Sequence, residues 1–260
     1  MRIYRQFGLA GGFLSNKIVE FVVKAVETDE GEGAKVRRLF PTSDLEYLDP
    51  FVLLDEFYVQ PPAGFPNHPH RGFEVVTYML EGAFKHKDSA GNSALLEAGG
   101  VQRITTGKGI VHSELPGSEK MNHGLQLWVN LPKRLKGIEP SYQELKPQGV
   151  PVKQDGKAGT RVRVIVGEGS PINLQTDVQY IDVEMPAASF SRRIPEGFNS
   201  FIYVLTGKVQ VGSSVLSPHE AAVLKPGSEL NAVADKPARF VLISGRPHNE
   251  PIMLMGSFVD

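Results

Sequence analysis

Cysteine is missing from the 260-residue sequence. Its absence excludes disulfide bridges, iron–sulfur clusters held by thiolates and thiolate zinc sites. Two other signatures are also missing, since the segment GEGAKVRR lacks the spacing of a phosphate-binding loop and no GxSxG elbow occurs. We therefore expect neither a P-loop nucleotide site nor a nucleophilic triad.

Long apolar runs and an excess of one charge are absent as well. No segment approaches the ~20 apolar residues that a transmembrane helix needs, so we expect no membrane span. The 28 basic and 29 acidic residues leave a formal net charge of −1. A nearly neutral chain has no bulk attraction to phosphate backbones or anionic membranes, which disfavours direct nucleic-acid binding.

The pattern of apolar residues predicts strands, because no long amphipathic helical segment is found. Short apolar or alternating segments recur about every ten residues between turn signals. In GLQLWVNL, for example, Leu125, Leu127 and Val129 alternate with more polar neighbours, as in a half-buried strand. The sequence therefore predicts an all-β fold made of antiparallel sandwiches or barrels.

An internal repeat indicates two copies of one barrel. The segment PEGFNSFIYVLTGKVQV echoes HRGFEVVTYMLEGAFKH, with Tyr203–Gly207 falling on Tyr78–Gly82. The segment EAAVLKPGSELNAV likewise echoes EAGGVQRITTGKGIVHSE. Similar units in tandem predict repeated supersecondary structure.

This repeat divides the chain into four predicted segments. Residues 1–16 form an N-terminal extension, disordered or an edge strand, with a targeting segment as the alternative. Residues 17–135 form an N-terminal metal-binding barrel, and 160–260 form a C-terminal barrel. Residues 136–159 are predicted to be a linker, because they are rich in proline, lysine and glycine and lack sustained periodicity.

Two pairs of polar residues predict a metal site in the first barrel. His68 and His70 are two residues apart, as are His112 and Glu114. Residues i and i+2 of a strand project from the same face, so each pair can reach a single point. Neutral imidazole suits iron, copper, nickel or zinc, and a carboxylate adds a harder anionic ligand. The repeat places Arg193, Pro195, Asn231 and Val233 at the corresponding positions, so no metal is predicted in the second barrel.

Several alternatives remain at this stage. Glu74 is a rival fourth ligand, because it lies four residues after His70. Four ligands around an octahedral metal leave two positions for substrate or dioxygen, whereas the same four around tetrahedral zinc close a structural site. His86 is either a neighbour of the ligands or, as we favour, exposed to solvent between two lysines. His123 is predicted to be structural.

The motifs GFPNHPHRGFEVVTYMLEG, TTGKGIVHSE, GLQLWVNLP and EPSYQELK, in this order, resemble the pirin family of the cupin superfamily. The resemblance extends from about Lys17 to the segment FVLISGRPHNEPIMLMGSFV. It implies two tandem cupin (double-stranded β-helix, jelly-roll) barrels with one mononuclear site, holding Fe(II), in the N-terminal barrel. Matched position by position, the family's ligands fall on His68, His70, His112 and Glu114, which favours Glu114 over Glu74. Manganese, copper, nickel, cobalt and zinc remain alternative metals.

The resemblance also implies two competing functions. One is a quercetinase reaction, in which dioxygen opens the ring of a flavonol-like aromatic substrate. For this reaction we add the hypothesis that Glu114 accepts the proton of the substrate hydroxyl. The other is an iron- and redox-dependent cofactor that binds a transcription factor without turnover, with a cytoplasmic or nuclear location. Family members usually continue into a further tail after the segment that ends here at Asp260, which leaves the docking surfaces for such partners open.

Overall fold

The computed structural model describes residues 19–155, 159–225, 227 and 229–260. Within these residues the chain forms 24 β-strands and two short 3₁₀ turns, at Lys133–Leu135 and Pro147–Gly149, and no α-helix. The all-β prediction is confirmed. No helix among the described residues is long and apolar enough to cross a membrane. The predicted N-terminal extension and its alternative targeting role lie outside the described residues.

The strands in chain order are β1 (Val19–Lys24), β2 (Val26–Glu30), β3 (Ala34–Phe40), β4 (Phe51–Val59), β5 (Phe65–His70), β6 (Phe73–Glu81), β7 (Ala83–Asp88), β8 (Ser93–Glu97), β9 (Val101–Thr105), β10 (Ile110–Pro116), β11 (Asn122–Asn130), β12 (Ser141–Leu145), β13 (Val152–Asp155), β14 (Thr160–Val166), β15 (Val178–Met185), β16 (Ala188–Arg193), β17 (Asn199–Thr206), β18 (Val209–Val211), β19 (Ser214–Leu216), β20 (Glu220–Leu224), β21 (Glu229–Ala234), β22 (Ala238–Gly245), β23 (Leu254–Met255) and β24 (Phe258–Val259).

Two barrels of the same design follow each other along the chain. In the first, a seven-stranded sheet of order β12-β9-β6-β11-β4-β3-β2 faces a four-stranded sheet of order β5-β10-β7-β8. In the second, β1-β20-β17-β22-β15-β14-β13 faces β16-β21-β18-β19. The strand orders of the two barrels correspond one to one, which confirms the predicted tandem repeat.

Three strands near the predicted domain bounds pair with a barrel to which the prediction did not assign them. Strand β1, which falls in the segment assigned to the first barrel, pairs with β20 at the edge of the second barrel. Strand β12 falls in the segment assigned to a linker, yet it pairs with β9 of the first barrel. Strand β13 of the same segment pairs with β14 of the second barrel. The segment 136–159 therefore contributes one edge strand to each barrel. Its short edge strands carry too few apolar residues for a periodic signal.

The two large sheets pack against each other through a shared apolar core that includes Phe40, Phe51, Phe201 and Tyr180. Two tyrosines cross this interface reciprocally. Tyr78 of the first barrel donates a hydrogen bond to Asp182 of the second at 2.8 Å, and Tyr203 of the second donates to Glu56 of the first at 2.7 Å. A buried hydroxyl bonded to a carboxylate fixes the relative position of the barrels in addition to apolar burial.

Candidate metal site

Three histidines of the first barrel converge on one point. Strands β5 and β10 pair antiparallel, with His68 opposite His112 and His70 opposite Ile110. One ring nitrogen from each of His68, His70 and His112 lies within 4.8 Å of the others. The structure thus brings together three of the four residues for which the spacing predicts convergence. These three residues form a group that could hold a metal ion.

Hydrogen bonds to backbone carbonyls orient two of the three rings. His68 Nδ1 lies 2.7 Å from the carbonyl oxygen of Pro66, and His70 Nδ1 lies 3.4 Å from that of Ser257. A carbonyl oxygen only accepts, so each Nδ1 must carry the proton and each Nε2 keeps its lone pair. The Nε2 atom of His70 is buried and has no hydrogen-bond partner. A buried nitrogen with a free lone pair, next to two further imidazoles, is the donor arrangement that a metal needs.

The distance between two of these nitrogens also suits a metal. His68 Nε2 and His112 Nε2 are 2.9 Å apart. Two nitrogens bound about 2.1 Å from one ion lie about 3.0 Å apart at an angle of 90°, and about 3.4 Å apart at the tetrahedral angle. The observed spacing is short enough for both nitrogens to contact one ion.

Burial keeps His70 and His112 neutral. It lowers the pKa of His70 well below its ordinary value, and the neighbouring His112 and His68 lower that pKa further. Burial, followed by His68 and His86, lowers the pKa of His112 to about 2. Because only neutral imidazole ligates a metal, both rings are in the ligating form throughout the physiological pH range.

Glu114 lies beside the histidines but outside the group defined by mutual proximity. Its carboxylate is buried and accepts hydrogen bonds from Gln126 Nε2 at 2.8 Å and Thr77 Oγ1 at 3.2 Å. It also lines the same cavity as His68 and His70. Its negative charge partly offsets the lowering of the His70 pKa. Its assignment as the fourth ligand stays a prediction.

Glu74 and Thr77 lie on opposite faces of strand β6. Thr77 contacts Glu114, whereas Glu74 points away from the histidines. Its carboxylate accepts a hydrogen bond from Thr105 Oγ1 at 2.7 Å and another from the backbone N–H of Gln175 at 2.7 Å. Burial raises the pKa of this carboxyl, and the two hydrogen bonds offset the effect only in part. Glu74 therefore joins the first barrel to the chain segment before β15 instead of facing the cavity.

His86 is buried, so the predicted exposure to solvent is wrong. Its ring stacks on Tyr142 at 5.2 Å between centroids and lies edge-on to His112 at 5.4 Å. Its Nε2 atom lies 3.3 Å from a carboxylate oxygen of Asp88. Lys85 and Lys87 on either side are exposed. Because side chains alternate along a strand, a residue between two exposed lysines lies on the inner face. The position of His86 between Lys85 and Lys87 could therefore have predicted its burial from the sequence.

The other histidines lie away from this group. His123 Nε2 and His219 Nδ1 lie 2.9 and 2.8 Å from the two carboxylate oxygens of Glu56, at the interface of the barrels. The structural role predicted for His123 is therefore its contact with the buried carboxylate of Glu56. His248 contacts Thr176 Oγ1 at 2.9 Å in the second half of the chain.

A cavity of about 520 Å³ opens beside the histidines, within the usual range for a small-molecule site. Phe65 and Trp128 line it, whereas Phe73 stacks behind Trp128 with ring centroids 4.1 Å apart. On the wall, Arg38 forms a two-point ion pair with the buried Asp55, at 2.9 and 2.7 Å. The cavity is also lined by Val52, Leu53, Phe57, Gln126, Leu254 and Ser257.

The second barrel fills the equivalent space with apolar side chains. Strand pairing corrects the predicted correspondence of the repeat. Glu114 pairs with His86, four residues after Gly82, and Ala232 pairs with Val211, four residues after Gly207. Ala232 is thus the counterpart of Glu114, and Leu230 that of His112. The predicted counterparts Asn231 and Val233 are exposed, because a shift of one residue moves a strand position to the other face.

Two family models match the chain. The model described as Pirin covers residues 33–129, and the model described as Pirin C-terminal cupin domain covers 180–260. A "Pirin-like protein" of Solanum lycopersicum is 45% identical over 257 residues, which span 95% of this chain and 88% of the relative. "Pirin" of Homo sapiens is 44% identical over 257 residues, spanning 94% of this chain and 88% of the relative.

Solved structures give the same architecture. A quercetin 2,3-dioxygenase from Acinetobacter baumannii superimposes with a TM-score of 0.87 at 30% identity, covering 94% of this chain and 92% of that one. A bacterial pirin from Escherichia coli, solved in complex with nickel(II), superimposes with a TM-score of 0.72 at 21% identity, covering 87% and 98% of the two chains. The second likeness concerns the fold alone.

Proposed function

Because this chain belongs to the pirin family, we propose that it is a mononuclear metal-dependent dioxygenase that opens the ring of a flavonol-like aromatic substrate. The observation that carries the proposal is the group of three buried or half-buried histidines in the first barrel, two of which, His68 and His70, line an open cavity. The likeness to a quercetin 2,3-dioxygenase over nearly the whole chain supports the choice of substrate class.

His68, His70 and His112 hold the metal in this proposal, with Glu114 as the fourth ligand. Fe(II), or one of the other transition metals that suit this donor set, supplies Lewis acidity and one-electron chemistry toward dioxygen. The protein contributes orientation and a cavity beside the histidines. Leu53 and Trp128 present apolar surface to a planar aromatic ligand there.

Glu114 has a second role in this proposal, as the acceptor of the proton from the flavonol hydroxyl. Its two oxygens already accept hydrogen bonds from Gln126 and Thr77. These bonds hold the carboxylate in one orientation, so that a remaining lone pair faces the cavity. A positioned carboxylate within hydrogen-bond reach of the substrate is the requirement for a general base.

The test is oxygen uptake with quercetin by protein loaded anaerobically with Fe(II), together with detection of released carbon monoxide. We expect turnover by the wild type, none above background by His68→Ala, and wild-type rates for His248→Ala, whose side chain lies outside the cavity lining. Equal rates for the wild type and His68→Ala would refute the proposal.

The second candidate is a redox-dependent protein-binding module, in which the oxidation state of iron alters affinity for a transcription-factor partner. The observation that favours it is the position of His68, a half-buried residue on edge strand β5, where a change at the metal can reach the surface. This candidate predicts partner binding that differs between Fe(II) and Fe(III) protein and no consumption of quercetin. Stoichiometric zinc with no flavonol turnover would instead indicate a structural site.

A further inference from the structure

A hairpin from the C-terminal end of the chain lies against the metal site of the first barrel. Strands β23 and β24 pair with each other through Leu254–Val259 and Met255–Phe258. Arg71, next to His70, forms a parallel bridge with Phe258. The hairpin follows the last strand of the second barrel, so it brings the far end of the sequence to the ligands of the first.

Polar contacts hold this hairpin in place. Asp260 forms an ion pair with Arg71 at 2.7 Å, and the backbone N–H of Val259 donates to the Arg71 carbonyl at 3.0 Å. Lys136 Nζ donates to the carbonyl of Val259 at 2.9 Å and to that of Gly72 at 2.9 Å. Two of these contacts therefore bind the hairpin directly to Arg71, the residue after His70, and Lys136 bridges Val259 to Gly72.

Apolar packing reinforces these contacts. Val259 is fully buried in a cluster with Phe73 and Trp128, two residues that pack around the cavity. The Arg71 guanidinium lies over the ring of Phe258 at 5.2 Å from its centroid. The burial of a valine against the aromatic residues of the site makes the hairpin part of the same core.

The turn of the hairpin reaches the site itself. The carbonyl of Ser257 is the acceptor 3.4 Å from His70 Nδ1, and it comes from a residue 187 positions away in sequence. Leu254, Gly256 and Ser257 also line the cavity. One backbone carbonyl thus fixes which nitrogen of His70 faces the ligand group, while the residues around it form part of the wall.

We propose that the C-terminal hairpin, residues 252–260, is a positioning element of the metal centre. Ser257 holds the His70 ring with Nε2 inward, and the turn closes one side of the substrate cavity. Metal binding and hairpin docking then stabilise each other, since a coupling between two equilibria acts equally in both directions. The inference rests on the proposed metal centre.

The test measures nickel(II) affinity by competition with a chelator, using the full-length chain. Val259→Asp introduces a carboxylate into an apolar cluster and should release the hairpin. We expect a loss of nickel(II) affinity of about 10- to 100-fold, as when a partner that orients a ligand is removed. Val259→Ile keeps the apolar contact and should retain affinity within about twofold of the wild type.

A milder pair of variants controls for folding. Asp260→Asn weakens the ion pair with Arg71 and should lower nickel(II) affinity by a few fold. Asp177→Asn is its matched control, because Asp177 pairs at 3.0 Å with Arg246, which likewise lies 5.2 Å over a phenylalanine ring, in the second half of the chain. We expect no change in affinity for Asp177→Asn, although it loses the same kind of surface contact.

Hydrogen exchange gives a readout that does not depend on any variant. Nickel(II) should slow exchange of the amides in residues 252–260 of the wild-type protein. Unchanged exchange there, or wild-type affinity in Val259→Asp with its hairpin amides exposed, would overturn the inference and leave the metal centre standing. A wild-type protein that binds neither nickel(II) nor Fe(II) would overturn both the inference and the proposed function.

Discussion

The two barrels share one strand order and differ in what fills them. The polar group around the carboxylate of the first barrel consists of Glu114, Thr77 and Gln126. With Tyr78 aligned on Tyr203, strand pairing makes Ile202 and Leu242 the counterparts of Thr77 and Gln126, and Ala232 that of Glu114. The counterpart of His112 is Leu230, which is fully buried. A few substitutions on inward strand positions therefore separate a site from a packed core, while the scaffold stays the same.

The barrels are alike where they meet. Each offers a tyrosine of the repeat, Tyr78 or Tyr203, to a carboxylate of the other, Asp182 or Glu56. These contacts need the same strand geometry on both sides, so the interface preserves the symmetry that the interiors have lost. The difference between the barrels teaches that the ligand-bearing strands β5 and β10 can vary without disturbing the large sheets.

The largest expected effect is the loss of the metal from the first barrel. His112→Ala removes the ring that lies 2.9 Å from His68 and leaves too few nitrogens to hold the ion. We expect metal content to fall from one ion per chain to background, together with all flavonol turnover. Elemental analysis after dialysis checks this, with His219→Ala at the barrel interface as the control. Full occupancy in His112→Ala would mean that the two barrels do not differ as described.

The second expected effect concerns the packed interior of the second barrel. Phe240 is fully buried and lies edge-on to Phe190 at 5.8 Å between centroids. Phe240→Ala should reduce the free energy of unfolding by about 3–5 kcal/mol, because a large cavity replaces a packed ring. Urea unfolding measures the loss, and metal content at low denaturant should remain that of the wild type. If the variant lost its metal at unchanged stability, the second barrel would be contributing to the site directly.

The core of the site could be predicted from sequence because its geometry is local. His68 and His70 lie two apart on one strand, and His112 lies two residues before Glu114 on the neighbouring strand. The alternating apolar pattern also predicted an all-β fold, and in both cases the period of two along a strand determines the outcome. The number of barrels was predicted from the internal repeat.

The parts that could not be predicted depend on contacts between distant segments. The exchange of β1 into the second barrel joins residues about 200 positions apart, and no local pattern encodes it. The carbonyl of Ser257 carries no side-chain signal at all, although it orients His70. The register of the repeat failed for a different reason. The correspondence inferred from residue identity was shifted by one residue in β21. A shift of one residue in a strand moves each side chain to the opposite face of the sheet.

The third expected effect tests the symmetric interface by pH. Burial raises the pKa of Glu56, but hydrogen bonds from His123, Tyr203 and Tyr58 outweigh it and lower the pKa from its ordinary 4.5 to about 2. The stabilisation is therefore complete above pH 4.5 and is lost as pH falls through 4.5 towards 2, because the unfolded chain binds the proton first. The shift corresponds to about 3 kcal/mol.

Urea unfolding of the wild type and Glu56→Gln between pH 7 and pH 3 measures this contribution. The variant should be less stable at pH 7 and should lose less stability on acidification. Glu97→Gln, at an exposed position of β8, is the control and should follow the wild-type profile. Parallel profiles for the wild type and Glu56→Gln would show that the interface carboxylate is not the origin of the acid sensitivity.

The smallest expected effect converts one wall of the first barrel into that of the second. Gln126→Leu introduces the leucine found at the corresponding position of the second barrel, Leu242. The substitution removes the 2.8 Å hydrogen bond that orients Glu114. The three histidines remain, so we expect metal content to stay near one ion per chain. Turnover should fall by about 10- to 100-fold, the usual cost of losing a partner that orients a metal-site residue. Thr77→Val, which removes the longer 3.2 Å contact to the same carboxylate, should reduce turnover less than Gln126→Leu does.

Steady-state oxygen uptake with quercetin measures the turnover of both variants. A loss confined to kcat assigns Gln126 to the positioning of Glu114. Loss of the metal itself would make Gln126 part of what holds the ion, and the polar wall, in addition to the histidines, would then define the difference between the two barrels.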